Sequence, residues 1–280
     1  MKTQIILRKV HYAFSAFLCT ACLVSCNDWL KPEPLSFYSP ENTYVTKEGL
    51  EGALVSCRAM IRPEFIGNNS YACTELMTSD VAVAGNIVAQ TLKNFEIQLK
   101  PGAYGDSQIG TFWSKGYSAI QKANTIISRV QAADEITEND KNTILAEGYF
   151  HRSYWYYKLV NQFGDVPFID KEVTTPKLDF YSHTRSSILR RLREDMMFAT
   201  RYLPESAPHG AVSKAAGNHL LAKICLACCD FDGAVAATTA VIDHSQHKLM
   251  EKRFGVNISD AQYNIISDLF NRENINSSEN

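Results

Sequence analysis

The sequence predicts a mainly α fold, built from helical hairpins and interrupted by one long irregular region. Three observations predict it. Apolar residues recur at three- and four-residue spacing in six separate stretches, as amphipathic helices require. Gly and Pro fall mainly between those stretches, where turns and helix ends need them. Residues 213–245 hold two such stretches around one turn, and their 33-residue span is close to the roughly 34 residues of a tetratricopeptide repeat. Composition agrees: 280 residues at 45% hydrophobic and 21% charged can bury a real core and exclude extensive disorder. With 28 basic against 30 acidic side chains there is no surplus to hold a phosphate backbone, which argues against nucleic acid as a partner.

The first 25 residues read as an address. A basic start (Lys2, Arg8, Lys9) runs into an apolar stretch from Tyr12 to Leu23, of signal-peptide length and too short to span a bilayer. It ends in Leu23-Val24-Ser25-Cys26, which resembles the lipobox of bacterial lipoproteins: an aliphatic residue, a tolerant position, a small residue, then Cys. The expectation is cleavage before Cys26 and lipidation of its thiol. Removing residues 1–25, with three basic and no acidic side chains, leaves 255 residues and a formal charge of −5. Membrane attachment would then rest on acyl chains rather than on a basic patch.

After a polar lead-in from Ser39 to Glu48, the positions Gly49, Leu50, Ala53, Leu54, Cys57, Met60 and Ile61 predict a helix that Pro63 stops. Residues 64–110 read as irregular, punctuated by Gly67, Gly85, Pro101-Gly102 and Gly105; loops this long are commonly functional. Tyr71 and Tyr104 are rings flanked by such residues. A long helix follows over Gln108 to Ala133, with Trp113, Tyr117, Ile120, Asn124 and Ile127 on one face. The polar Asn124 in that stripe predicts a tie to a neighbouring element, because a buried amide needs partners. Thr137 or Asn139 caps the next helix, which carries Ala146, Tyr149, Phe150, Ser153, Tyr157 and Val160 to Phe163 and ends at Gly164. Asp165 to Ile169 is extended. Thr184 opens a helix through Ile188, Leu192, Met196, Ala199 and Leu203 to Pro204. Residues 213–229 form another, Asp230-Phe231-Asp232-Gly233 makes the turn, and Ala234, Ala237, Thr238, Val241 and Ile242 line the last. Small residues stand where two helices approach closely.

Besides Cys26, the mature chain holds Cys57, Cys73, Cys225, Cys228 and Cys229. An odd number excludes a complete disulfide framework and leaves pairing of Cys57 with Cys73 open. Cys225-x-x-Cys228-Cys229 lacks a second ligand pair at zinc spacing, so core packing is expected of it. No nucleophile elbow, zinc-protease motif or phosphate loop occurs. Glu194 and Asp195 are adjacent on a helix and so diverge, which is wrong for a carboxylate pair. Asp230 and Asp232 read as turn chemistry rather than a cation site. His151 reads as helix surface or scaffold. No cofactor, metal or catalytic residue is called for.

Several stretches together resemble one family. They are the lipobox with Cys26-Asn27-Asp28-Trp29-Leu30; Trp113 to Ile120 with Ala123-Asn124; Ala146-Glu147 through His151-Arg152 and Tyr154-Trp155 to Phe163-Gly164-Asp165-Val166-Pro167; and Leu203-Pro204 followed by Ser213-Lys214-Ala215-Ala216. In this order they resemble the SusD/RagB family of outer-membrane nutrient-binding lipoproteins. The resemblance implies a tetratricopeptide-like scaffold over residues 26–280 with a loop-rich insertion at about 64–110. It implies a lipid-anchored, surface-exposed outer-membrane protein that captures oligosaccharides, in some members peptides, and closes over a TonB-dependent β-barrel transporter without chemistry on the ligand. Family members are longer, and the resemblance implies that a further region would follow Leu269 to Asn280. It carries over Cys26 as the lipidated residue and no set of ligand-binding residues. Region 64–110 is the candidate for ligand contact; Trp113 and Trp155 read as scaffold. The rival is a tetratricopeptide-like adaptor lipoprotein acting only through protein contacts.

Overall fold

Among the described residues, six α-helices pack mostly against their neighbours in the chain, each added to the last. The computed structural model describes residues 43–65, 108–134, 136–208 and 210–244. By its internal contacts the chain divides into Met1–Thr43, nearly all of it outside the described residues, and Tyr44–Asn280, which holds every element below. The helices are α1 (Lys47–Phe65), α2 (Gln108–Arg129), α3 (Glu138–Phe163), α4 (Arg185–Tyr202), α5 (Lys214–Ala227) and α6 (Phe231–His244). A short 3-10 turn, Val130–Ala132, follows α2, and two-residue strands β1 (Val166–Pro167) and β2 (Ser182–His183) pair antiparallel between α3 and α4.

The caps lie where the residues place them. Thr137 accepts from the Asp140 amide, Thr184 from Ser187 and Ser213 from Ala216, each satisfying an amide that the first helical turn leaves unpaired. Gly164 ends α3 at φ 74°, a conformation that costs other residues energy. Helix α3 is the axis of the fold. It contacts α1, α2 and α4, and from Ile144 to Val160 most of its side chains are buried, which is why its apolar positions run around it instead of along one stripe. One core joins α2, the later part of α3 and α4 to α6, around Trp155, Tyr156, Leu159, Leu192 and Met196. A second gathers Leu50, Leu54 and Cys57 of α1 against Ile126, Val130 and Ile144. Gly217 permits the α4–α5 approach, since a Cβ there would lie 2.6 Å from Leu203 Cδ1.

Four expectations need correction. Pro63 does not stop α1, which continues to Phe65. Proline removes only the bond back toward Ala59, and Glu64, fully buried against the Tyr154 hydroxyl and Lys158, holds the last turn in place. The irregular region is accordingly shorter at both ends, because 64–65 and 108–110 are helical; 66–107 lies outside the described residues. The turn between the last two helices is Cys228-Cys229-Asp230, not Asp230 to Gly233. The Cys229 amide donates to Leu226 O (3.1 Å) and the Asp230 amide to Cys225 O (2.9 Å), the Schellman pattern, with Cys229 at φ 59° in the position that favours glycine. Asp230 then accepts from the Gly233 amide (3.0 Å) and starts α6. Finally, α6 buries Ala234 and Ala237 but leaves Thr238 and Ile242 exposed.

Candidate functional site

The connection from α3 to α4 is the most heavily tethered irregular segment among the described residues. Its ends are closed by the β1–β2 ladder, and between them residues 168–181 run without regular structure. A strap of this kind has no ladder to satisfy its backbone, so side chains must do so. Helix α2 supplies them at 117, 121, 124 and 128, spacing of one helix face. The Tyr117 hydroxyl donates to Pro167 O (2.8 Å), Gln121 Nε2 to Val173 O (3.1 Å) and Asn124 Nδ2 to Ile169 O (2.7 Å), while Ser128 Oγ accepts from the Glu172 amide (3.1 Å). Helix α3 adds a second row. The Tyr156 hydroxyl accepts from the Ile169 amide (2.6 Å), and Arg152 donates to Asp170 O (2.9 Å). Burial pushes the Tyr117 and Tyr156 hydroxyls up from their ordinary values, so both stay protonated at neutral pH.

Arg152 is the hinge pin of this arrangement. Only 1% exposed, it pairs with Asp195 (2.6 Å), donates to Asn124 Oδ1 (3.3 Å) and lies 4.9 Å from the centre of the Tyr149 ring. A buried guanidinium persists only with such partners. Arg129 Nε bonds the Glu172 carboxylate (2.8 Å), fixing the strap's far side.

The strap encloses a cleft of about 320 Å3. One wall is Phe168, whose ring packs 4.7 Å from Tyr156 and so stands on the core. Phe180 and Lys177 also line the cleft, the ammonium 5.5 Å from the Phe180 ring centre. Thr174, Thr175 and Lys171 add hydroxyl and ammonium groups to a lining that also holds Ile169, Asp170, Glu172 and Val173. Beside the cleft, Leu178 is 98% exposed and Tyr181 74% exposed, the latter leaning on His183 at 5.3 Å.

Asn124 ties α2 to a neighbour as its place in the stripe predicts. Gln121 and Ser128 belong to no motif in the sequence; the polar spacing 117, 121, 124, 128 is their signal. Cys26, Cys73, Tyr71 and Tyr104 lie outside the described residues. Trp155 is fully buried and Trp113 packs on Tyr117 (4.9 Å) and Phe163 (5.0 Å), both as scaffold. His151 is scaffold rather than surface, 1% exposed with Nε2 3.5 Å from Glu147. Asp195 turns inward to Arg152 and Glu194 outward, and Asp230 caps α6 and pairs with Arg193 (2.9 Å). Cys57 and Cys225 are buried free thiols, pushed by burial up to about 12 and about 11, which leaves them unreactive at neutral pH. Cys229 departs from core packing: it is exposed at the helix end. Among the described residues no group of His, Cys, Asp or Glu is placed to hold a metal ion, and no helix is long and apolar enough to cross a membrane.

Residues 50–226, from α1 through nearly all of α5, match the SusD-like family described as "Starch-binding associating with outer membrane". The chain belongs to that SusD-like family. A SusD-like protein, P2, of Formosa agariphila is 29% identical over 243 residues, covering 85% of this chain and 47% of that protein. The chain therefore spans about half the length of the curated relatives it matches. Among solved structures, a SusD superfamily protein from Bacteroides vulgatus superposes with TM-score 0.62 at 17% identity, over 71% of this chain and 44% of that one. A laminarin-binding SusD-like protein superposes with TM-score 0.60 at 22% identity, over 69% and 43%. These likenesses establish the tetratricopeptide-like helical fold for this SusD-like chain.

Proposed function

We propose that this SusD-like chain belongs to a lipoprotein of the outer membrane that binds oligosaccharides and passes them to a TonB-dependent β-barrel transporter, leaving the glycan chemically unchanged. The observation that carries this reading is the match over residues 50–226 to a family described by starch binding at the outer membrane. A structural neighbour that binds laminarin supports a glycan as the ligand class. The anchor is Cys26, on the strength of the basic start, the apolar stretch and Leu23-Val24-Ser25-Cys26. Residues 1–25 are then a removed signal peptide, and the mature scaffold begins at Cys26. Residues 66–107, what remains of the irregular region between α1 and α2, are one candidate region for ligand contact, with no single residue assigned.

Affinity electrophoresis of the mature chain through gels containing laminarin or starch tests the binding step. Retardation with the polysaccharide recovered at its original length is expected. A shortened polysaccharide would mean an enzyme, and no retardation in either gel would overturn the glycan reading.

A further inference from the structure

We propose that the cleft between the tethered strap and Phe180 is a carbohydrate subsite on the helical scaffold, separate from region 64–110 and sized for one or two sugar rings. The proposal rests on the glycan-binding reading and assigns it a place. Two features of the cleft carry it.

The first is chemistry. A sugar ring presents an apolar face to an aromatic ring and a rim of hydroxyls that each donate and accept. Phe168 and Phe180 offer the rings, and Thr174 and Thr175 offer hydroxyls of the same double character. Lys171 and Lys177 add donors. The volume of about 320 Å3 stands at the small end of the roughly 300–1,000 Å3 of ligand clefts, a size for one or two rings rather than a long chain.

The second is rigidity. Binding costs less when the site is already ordered, and in the wall from Phe168 to Val173 side chains of two helices bond the backbone of Ile169, Asp170, Glu172 and Val173, while the Phe168 ring packs on Tyr156.

The test compares four forms of the mature chain in laminarin and starch gels: unsubstituted, Phe180→Ala, Thr174→Trp and Leu178→Ala. Phe180→Ala removes a ring and Thr174→Trp fills the cleft from an exposed position, so neither disturbs the core; matching thermal melts check this. Loss of one stacking ring corresponds to about five-fold weaker binding. The proposal expects that loss or more for both Phe180→Ala and Thr174→Trp, and none for Leu178→Ala, which does not line the cleft. If both cleft variants bind like the unsubstituted chain while Tyr71→Ala or Tyr104→Ala weakens binding, glycan binding stands and the cleft assignment is wrong. If the unsubstituted chain binds neither polysaccharide, the glycan reading fails and the subsite fails with it.

Discussion

Arg152 shows how much of this fold depends on single polar residues. Its guanidinium is sealed between α2, α3, α4 and the strap, and removing it leaves the buried Asp195 with only the half-exposed Arg191 (3.1 Å) as a charged partner. Arg152→Ala is therefore expected to cost about 3–5 kcal/mol in urea unfolding, while Arg152→Met with Asp195→Leu costs much less because no charge is left unpaired. Cys229 is a residue-scale weakness of the opposite kind. It closes α5 in a left-handed conformation that costs a side-chain-bearing residue about 1–2 kcal/mol. Cys229→Gly should raise stability by about 0.5–1 kcal/mol, less than the full strain because glycine gains freedom in the unfolded chain. Glu147 sets a pH dependence. Burial by itself would raise its carboxyl, but His151 and Arg58 outweigh burial and hold it below the ordinary 4.5. A carboxyl depressed in the folded state contributes stability that is complete above that ordinary value and fades as pH falls through the folded one. Melting temperature should therefore drop on acidification below about pH 4.5, and Arg58→Ala should flatten that drop.

At the scale of elements, the helices were legible and the strap was not. Amphipathic spacing places α2 to α5 within a few residues, and Thr137, Thr184 and Ser213 cap where their hydroxyls predict. Pro63 misleads because the chemistry that keeps α1 helical past it, a buried Glu64 contacted from α3, is a tertiary contact invisible along the chain. Cys228-Cys229 misleads because a left-handed helix end is written without glycine. The cleft is formed by backbone groups of an irregular segment, and nothing in the periodicity of 168–181 announces them; only the polar row 117, 121, 124, 128 hints that α2 faces something other than a core. That row makes a prediction of its own. In Asn124→Ala, Ile169 O keeps its weaker contact from Tyr156 (3.2 Å) while Arg152 loses an acceptor, so hydrogen exchange should quicken in residues 168–173 and not in α5 or α6. The expected loss in stability is about 1–2 kcal/mol.

For the whole molecule, the helical scaffold of the SusD-like family is proposed to carry a lipid anchor at Cys26 and a carbohydrate-contacting strap between its third and fourth helices. The anchor is the part most simply tested. Cys26→Ala should leave the membrane fraction in cell fractionation, and retention there would refute lipidation at that residue. What separates nutrient capture from a purely adaptor role is the company the protein keeps, because both would use the same stacked helices. Purification of the lipidated protein from membranes in mild detergent, followed by mass spectrometry of what accompanies it, is the most direct measurement. A TonB-dependent β-barrel in near-equal amount is the expected companion. An intact complex with other proteins and no barrel would contradict it.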